Sequence, residues 1–226
     1  MSAHADTSCR GCGTCCRKGG PALHGEDMDL LRRGALGRSD LVTLRAGELA
    51  RDDAAGTLAP LDAELVKLAG ARPGVWACRF LGADNRCTVY ATRPVECSAL
   101  LCRDTSRIMA LYGQDRATRA MVLAATGAPQ GWRELAEAHE ERLGYAVMGF
   151  SAHALRDPVA REALLEAVRY DAIFRRLASD KAQVPAAELD FLFGRPLTDT
   201  IVMYGVGVQM RADGPALVDL PTRASA

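Results

Sequence analysis

Four of the eight cysteines fall within eight residues, in the stretch Cys9-Arg10-Gly11-Cys12-Gly13-Thr14-Cys15-Cys16. The others follow at Cys78, Cys87, Cys97 and Cys102, and no thiol occurs later. Thiols spaced so closely can be core hydrophobes, disulfide partners or metal ligands. Single buried free cysteines are common, but four in one Gly-rich turn cannot all face a core. A disulfide needs Cα atoms roughly 4.4–6.8 Å apart and a defined torsion, which adjacent Cys15 and Cys16 do not easily meet. A C-x2-C turn, by contrast, aims two sulfurs and nearby backbone amides at one point, which is what a metal needs. All eight cysteines are therefore candidate metal ligands.

The thiols read C-x2-C-x2-C-C, then C-x8-C-x9-C-x4-C. A zinc ribbon would show two C-x2-C pairs and little else. Neighbouring side chains diverge, so Cys15 and Cys16 are expected to serve different irons, different metals, or one metal and the core. Iron–sulfur clusters usually take four thiolates each. Eight thiols suit two such sites, or one cluster with spare cysteines nearby. All-thiolate sites suit both zinc and iron–sulfur clusters. The compact loop is similar to the C-x2-C-x2-C run of bacterial ferredoxins, which favours a [4Fe–4S]-type cluster; zinc is the alternative. Completing a closed site also requires distant ligands, so Cys78 and Cys87 are expected to approach the Cys9–Cys16 loop.

Local elements must supply that approach. The loop ends at Gly19-Gly20-Pro21, and Glu26 to Arg33 reads as a short helix with acidic residues first and Arg32 and Arg33 last, as the helix dipole prefers. Leu41 to Leu44 suggests a strand. Ala63 to Leu68 fits a strand or a short helix, since so short an apolar run leaves the period open. Residues 51–60 read as an exposed connection. Val75 to Tyr90 reads as a β-hairpin or knuckle turning at Gly82-Ala83-Asp84-Asn85, with Cys78 and Cys87 flanking the turn. Pro94 suits the first turn of a helix that would place Cys97 near Cys102. Beyond Cys102, Ile108, Leu111, Tyr112 and Met121 recur at helical spacing until Gly127-Ala128-Pro129. A second helix is expected from about Gln130 to Leu143. Asp157-Pro158 opens a third, with Leu164, Leu165, Val168 and Ala172 as its apolar face. Val206, Val208 and Met210 alternate before Asp213-Gly214-Pro215 and the returning Leu217 and Val218, a C-terminal hairpin. The fold class is α+β: residues 1–102 form a cysteine-cluster region with short strands, and residues 103–226 a mainly helical region packed on it.

The 226 residues can bury a core without staples. Lys+Arg and Asp+Glu balance at 28 each, so no net charge draws the chain to nucleic acid or an anionic membrane. No secretory signal or membrane-spanning run is read, which points to the cytoplasm and to reduced thiols. No P-loop, H-E-x-x-H or Ser-His-Asp pattern is present. His24 is read as a solvated loop residue rather than a ligand, and His139 and His153 as surface or half-buried. Arg93 either neutralises thiolates or pairs with Glu96.

Taken together, Cys9-x2-Cys12-Gly13-Thr14-Cys15-Cys16, Cys78-x-Phe80-Leu81 and Cys87-Thr88-Val89-Tyr90-Ala91-Thr92-Arg93-Pro94-x2-Cys97 resemble the YkgJ-type cysteine-cluster family, over roughly residues 9–102. The resemblance implies a zinc- or iron-chelating domain, related to one in flagellin lysine-N-methylase that is associated with an iron–sulfur cluster. Ser98 stands where that family often has a basic residue, which weakens an anion-binding role there. The expected function is metal binding, with an electron-transfer, redox or metal-handling role. A metal-dependent methyl-transfer or redox enzyme and a structural zinc protein are the alternatives.

Overall fold

The computed structural model describes residues 9–72, 74–143, 157–212 and 214–221. The chain divides into two compact units: residues 1–41 with 65–127, and residues 42–64 with 128–226. Helices alternate with small antiparallel hairpins, so the fold is α+β. No parallel sheet with alternating helices is present among the described residues.

The first unit contains α1 (Thr14–Lys18), α2 (Met28–Arg32), β4 (Leu65–Leu68), β5 (Gly70–Arg72), β6 (Val75–Cys78), α3 (Val95–Ala99), α4 (Ser106–Leu111) and α5 (Arg119–Ala125). Residues 21–23 run beside β4, with Leu23 N donating to Val66 O at 2.9 Å and Leu68 N to Pro21 O at 3.0 Å. On the other side Ala117 N donates to Leu23 O at 2.8 Å. Leu23, Met28, Leu31, Leu36, Val66, Leu68, Val122 and Leu123 are buried. Removing such side chains from water is the main stabilising term of a unit this size.

The chain enters the second unit within β1 (Leu41–Leu44) and continues through β2 (Leu49–Asp52) and β3 (Thr57–Pro60). After α6 (Gly131–Leu143) come α7 (Pro158–Ala182), α8 (Leu189–Leu192), α9 (Leu197–Thr200), β7 (Val206–Arg211) and β8 (Gly214–Asp219). Asp157 caps α7, accepting from Ala160 N at 3.1 Å, and Pro158 is its first residue. Val206 pairs with Asp219 and Arg211 with Gly214, the expected C-terminal hairpin; Asp213 of its turn lies outside the described residues. Leu143, Leu164, Ala167, Val168, Leu197, Ile201 and Val206 form one apolar cluster.

Several local expectations are corrected. Cys78 lies on a strand, but its partner is β5, with Gly70 opposite Cys78, and not residues 87–90. Residues 80–88 form a tight knuckle, the other of the two forms expected there. Thr88 N donates to Phe80 O at 2.9 Å, Gly82 N to Arg86 O at 2.7 Å, and Asn85 takes a left-handed φ of 65°. Residues 51–60 are largely exposed, as expected, yet they belong to the β2–β3 hairpin; Asp52 Oδ1 shapes the turn by accepting from Ala54 N and Ala55 N. The helix expected after Cys102 is broken into α4 and α5, because Gly113 and Asp115 adopt φ of 81° and 42°. On α7 the buried stripe includes Asp171 and Arg175, while Ala172 is exposed. His24 and His139 are both buried, at 2 % and 0 % exposure. His153 lies outside the described residues.

Candidate metal centre

The cysteine loop is shaped by two left-handed glycines, Gly11 at φ 66° and Gly13 at φ 69°. Gly13 precedes α1, and its carbonyl accepts from Arg17 N at 2.9 Å. Cys15 and Cys16 therefore sit on one turn of helix, while Cys9 and Cys12 remain on the exposed approach to it. Gly11 N donates to Cys9 Sγ at 3.4 Å, and Cys12 Sγ donates to Thr14 Oγ1 at 3.4 Å. The Thr14 hydroxyl and backbone amide, with a smaller contribution from the Arg17 charge, hold the Cys12 thiol below its ordinary value.

Arg17 fastens this loop to the knuckle. Its Nη1 donates to Cys12 O at 3.0 Å and its Nη2 to Asn85 Oδ1. A Cβ on Gly13 would lie 3.1 Å from Leu81 Cδ1 and 3.2 Å from Asn85 Cβ, so the loop rests directly on the Gly82–Asn85 turn. β6 ends at Cys78, which is buried. Leu81 N donates to Cys78 O at 3.0 Å, and Leu81 bridges to Cys87.

Cys97 arrives on α3. Asp27 Oδ1 accepts from Val95 N at 2.9 Å, satisfying an amide in the first turn of that helix. Glu96 Oε2 accepts from Ala22 N at 2.8 Å, and Glu96 Oε1 lies 3.1 Å from His24 Nε2. His24 Nδ1 lies 2.7 Å from Gln114 O. Both ring nitrogens of His24 are thus engaged, and it is a positioning residue rather than a solvated loop side chain. Arg93 stacks over the Tyr90 ring at 3.9 Å and donates from Nη1 to Tyr90 O at 2.9 Å.

Five thiols share one electrostatic neighbourhood. Burial pushes the Cys16 thiol up to about 12, and the charges of Cys15, Cys78 and Cys87 add to it. Burial raises Cys97 as well, reinforced by Cys78, Cys16, Cys87 and Cys15. Cys78 is raised by burial and by Cys87. Cys15, Cys16, Cys78, Cys87 and Cys97 therefore lie near enough for their charges to act on one another, while Cys9, Cys12 and Cys102 are exposed. Thiolates crowded in this way repel one another, and a cation among them reverses that balance. As the side chains stand, no three His, Cys, Asp or Glu residues form a closed metal-holding group among the described residues. The donor set fits a soft metal in its chemistry.

Sequence reasoning singled out the thiols but missed Arg17, Asp27, Asn85 and the positioning role of Glu96. Glu96 offered a signal, a carboxylate next to a candidate ligand. Asp27 offered none, because its contact with Val95 joins residues 68 apart.

Residues 8–112 match a family model whose description reads "CxxCxxCC: Putative zinc- or iron-chelating domain". The matched stretch contains all eight cysteines. No curated protein and no solved structure matches the chain. No helix is long and apolar enough to cross a membrane among the described residues.

Proposed function

We propose that the cysteine region carries an iron–sulfur cluster, of [4Fe–4S] type, and serves electron transfer, redox chemistry or metal handling. The observation that carries this reading is the meeting of Cys15, Cys16, Cys78, Cys87 and Cys97 in one electrostatic neighbourhood. Five thiols supply the four sulfur ligands that a [4Fe–4S] cluster takes. The nearest imidazole and carboxylates are already committed: His24 and Glu96 to each other, and Asp27 to the amides of His24 and Val95. The remaining donors are all sulfur, the ligand type of iron–sulfur sites. Four of the five would hold the cluster, with Cys9, Cys12 and Cys102 as further candidates from the exposed side.

Such a cluster, when bound, supplies one-electron chemistry. The chain's own residues set its surroundings. Arg17 clamps the loop and adds positive charge beside Cys12, which favours the ionised form of that thiol. The partial burial of Cys15 and Cys16 and the near-complete burial of Cys78 limit access of water to the sulfurs.

Anaerobic purification with metal and acid-labile sulfide analysis tests the proposal. Brown protein with iron and sulfide in stoichiometric amounts, bleaching on reduction, is the expected result. Colourless protein with stoichiometric zinc and no sulfide would overturn the cluster while leaving metal binding in place.

A further inference from the structure

The second unit buries a group of charges that the metal reading does not use. His139 lies on the inner face of α6 with Trp132, Ala136 and Leu143. Its Nε2 is 2.9 Å from Asp171 Oδ1 on α7. Asp171 also accepts from Arg175 Nε at 2.7 Å and, through Oδ2, from Leu197 N at 2.8 Å. Arg175 continues the network to Asp190 Oδ1, Phe193 O and Gly194 O. Since Asp171 is ionised and accepts, the His139 proton sits on Nε2.

The other ring nitrogen, Nδ1, is buried and has no hydrogen-bond partner among the described residues. The ring packs against aromatic groups, with centroids 5.2 Å from Phe174 and 4.9 Å from Phe193. An Asp-oriented imidazole with a free nitrogen is the arrangement of a general base, but at 0 % exposure it offers no path to a substrate. What remains open to it is a proton.

We propose that His139 is a proton-sensitive latch between α6 and α7, and that proton uptake at Nδ1 in mild acid releases α6. In the closed state an Nδ1–H would be a donor without an acceptor, which costs about 1–3 kcal/mol. The new cation would face Arg175 on α7 and Arg45 from the segment after β1, with Asp171 opposing them. Glu140, next on α6, acts on Arg45, and Asp190 feels Arg175. Burial, aided by the Arg175 and Arg45 charges, outweighs Asp171 and holds His139 below its ordinary value of 6.5. An opened α6 exposes the ring to water, where it protonates normally. Acid therefore favours the open form, starting near pH 6.5 and ending at the lower value of the closed form.

Amide hydrogen exchange on the full chain between pH 7.5 and 5, corrected for intrinsic rates, tests this. Protection of residues 131–143 should fall, approaching about tenfold per pH unit below about pH 6.5, the slope of one proton. His139→Gln keeps an amide donor for Asp171 but cannot titrate, so its protection should stay flat. A flat wild-type profile, or parallel losses in both proteins, overturns the latch. If the variant does not fold, imidazole nitrogen spectra of the wild type decide. A neutral Nε2–H ring at pH 7 supports the latch, and an imidazolium with α6 still protected overturns it.

Discussion

His24 Nε2 lies 3.1 Å from Glu96 Oε1, joining the segment after the cysteine loop to the helix that bears Cys97. The pair is buried, and Glu96 also satisfies the amide of Ala22. Removing the carboxylate leaves two buried donors without an acceptor. Glu96→Ala should cost about 2–4 kcal/mol of stability in urea unfolding. A loss below about 1 kcal/mol would show that α3 is held by other contacts.

Gly70 stands opposite Cys78 in the β5–β6 hairpin. A Cβ there would lie 1.8 Å from Val75 O, a backbone atom that cannot swing aside. Gly70→Ala should force the strands apart, destabilise the protein by about 1–3 kcal/mol, and lower its metal content. Unchanged melting and full loading in the variant would refute the link between this pairing and the Cys78 position.

The thiols should not be equivalent. Cys97 is among the five converging thiols and Cys102 is exposed. Cys97→Ser is expected to lower the bound metal well below half, since oxygen is a harder donor than thiolate and only four of the converging thiols remain. Cys102→Ser is expected to keep at least about half of the bound metal, because spare thiols remain around a four-ligand site. Equal losses in the two variants would place Cys102 inside the inner set.

Asp171 governs a different acid response. Burial alone would raise its carboxyl, but the His139 hydrogen bond, the Arg175 charge and the Leu197 amide bring it down to about 2. A folded value below the unfolded 3.8 means that the unfolded chain takes the proton first. This stabilisation is complete above about pH 4 and is lost as the pH falls through 2, amounting to about 2 kcal/mol. Urea titrations from pH 5 to 2 should show that loss in the wild type and a smaller one in Asp171→Asn. Equal acid slopes would assign the effect elsewhere.

The parts of the fold that depend on neighbours in sequence were legible. Asp157-Pro158 announced α7, and the alternation of Val206, Val208 and Met210 announced the last hairpin. The clustering of thiols announced a common centre, because sulfur at those spacings has few other uses. What depended on remote partners was not legible. His24 finds its acceptors 72 and 90 residues away, and His139 finds Asp171 32 residues away, so both looked like surface residues from their own surroundings. The pairing of β6 with β5 was hidden because Gly70-Ala71-Arg72 lacks the β-branched bulk that marks a strand. The break between α4 and α5 lay in backbone angles at Gly113 and Asp115 that apolar periodicity does not register.

The two units are interleaved along the chain: residues 42–64 leave the first unit, and residues 65–127 return to it. That order sets a timetable for synthesis. The Cys9–Cys16 thiols emerge from the ribosome roughly 80 residues before Cys97, which at ~5–20 residues per second is about 4–16 s. During that interval the early thiols have no partners from Cys78, Cys87 or Cys97 and form an open, unfinished nest. A site that needs Cys97 can close only once α3 has cleared the exit tunnel, so until then oxidants meet all the early thiols without their later partners.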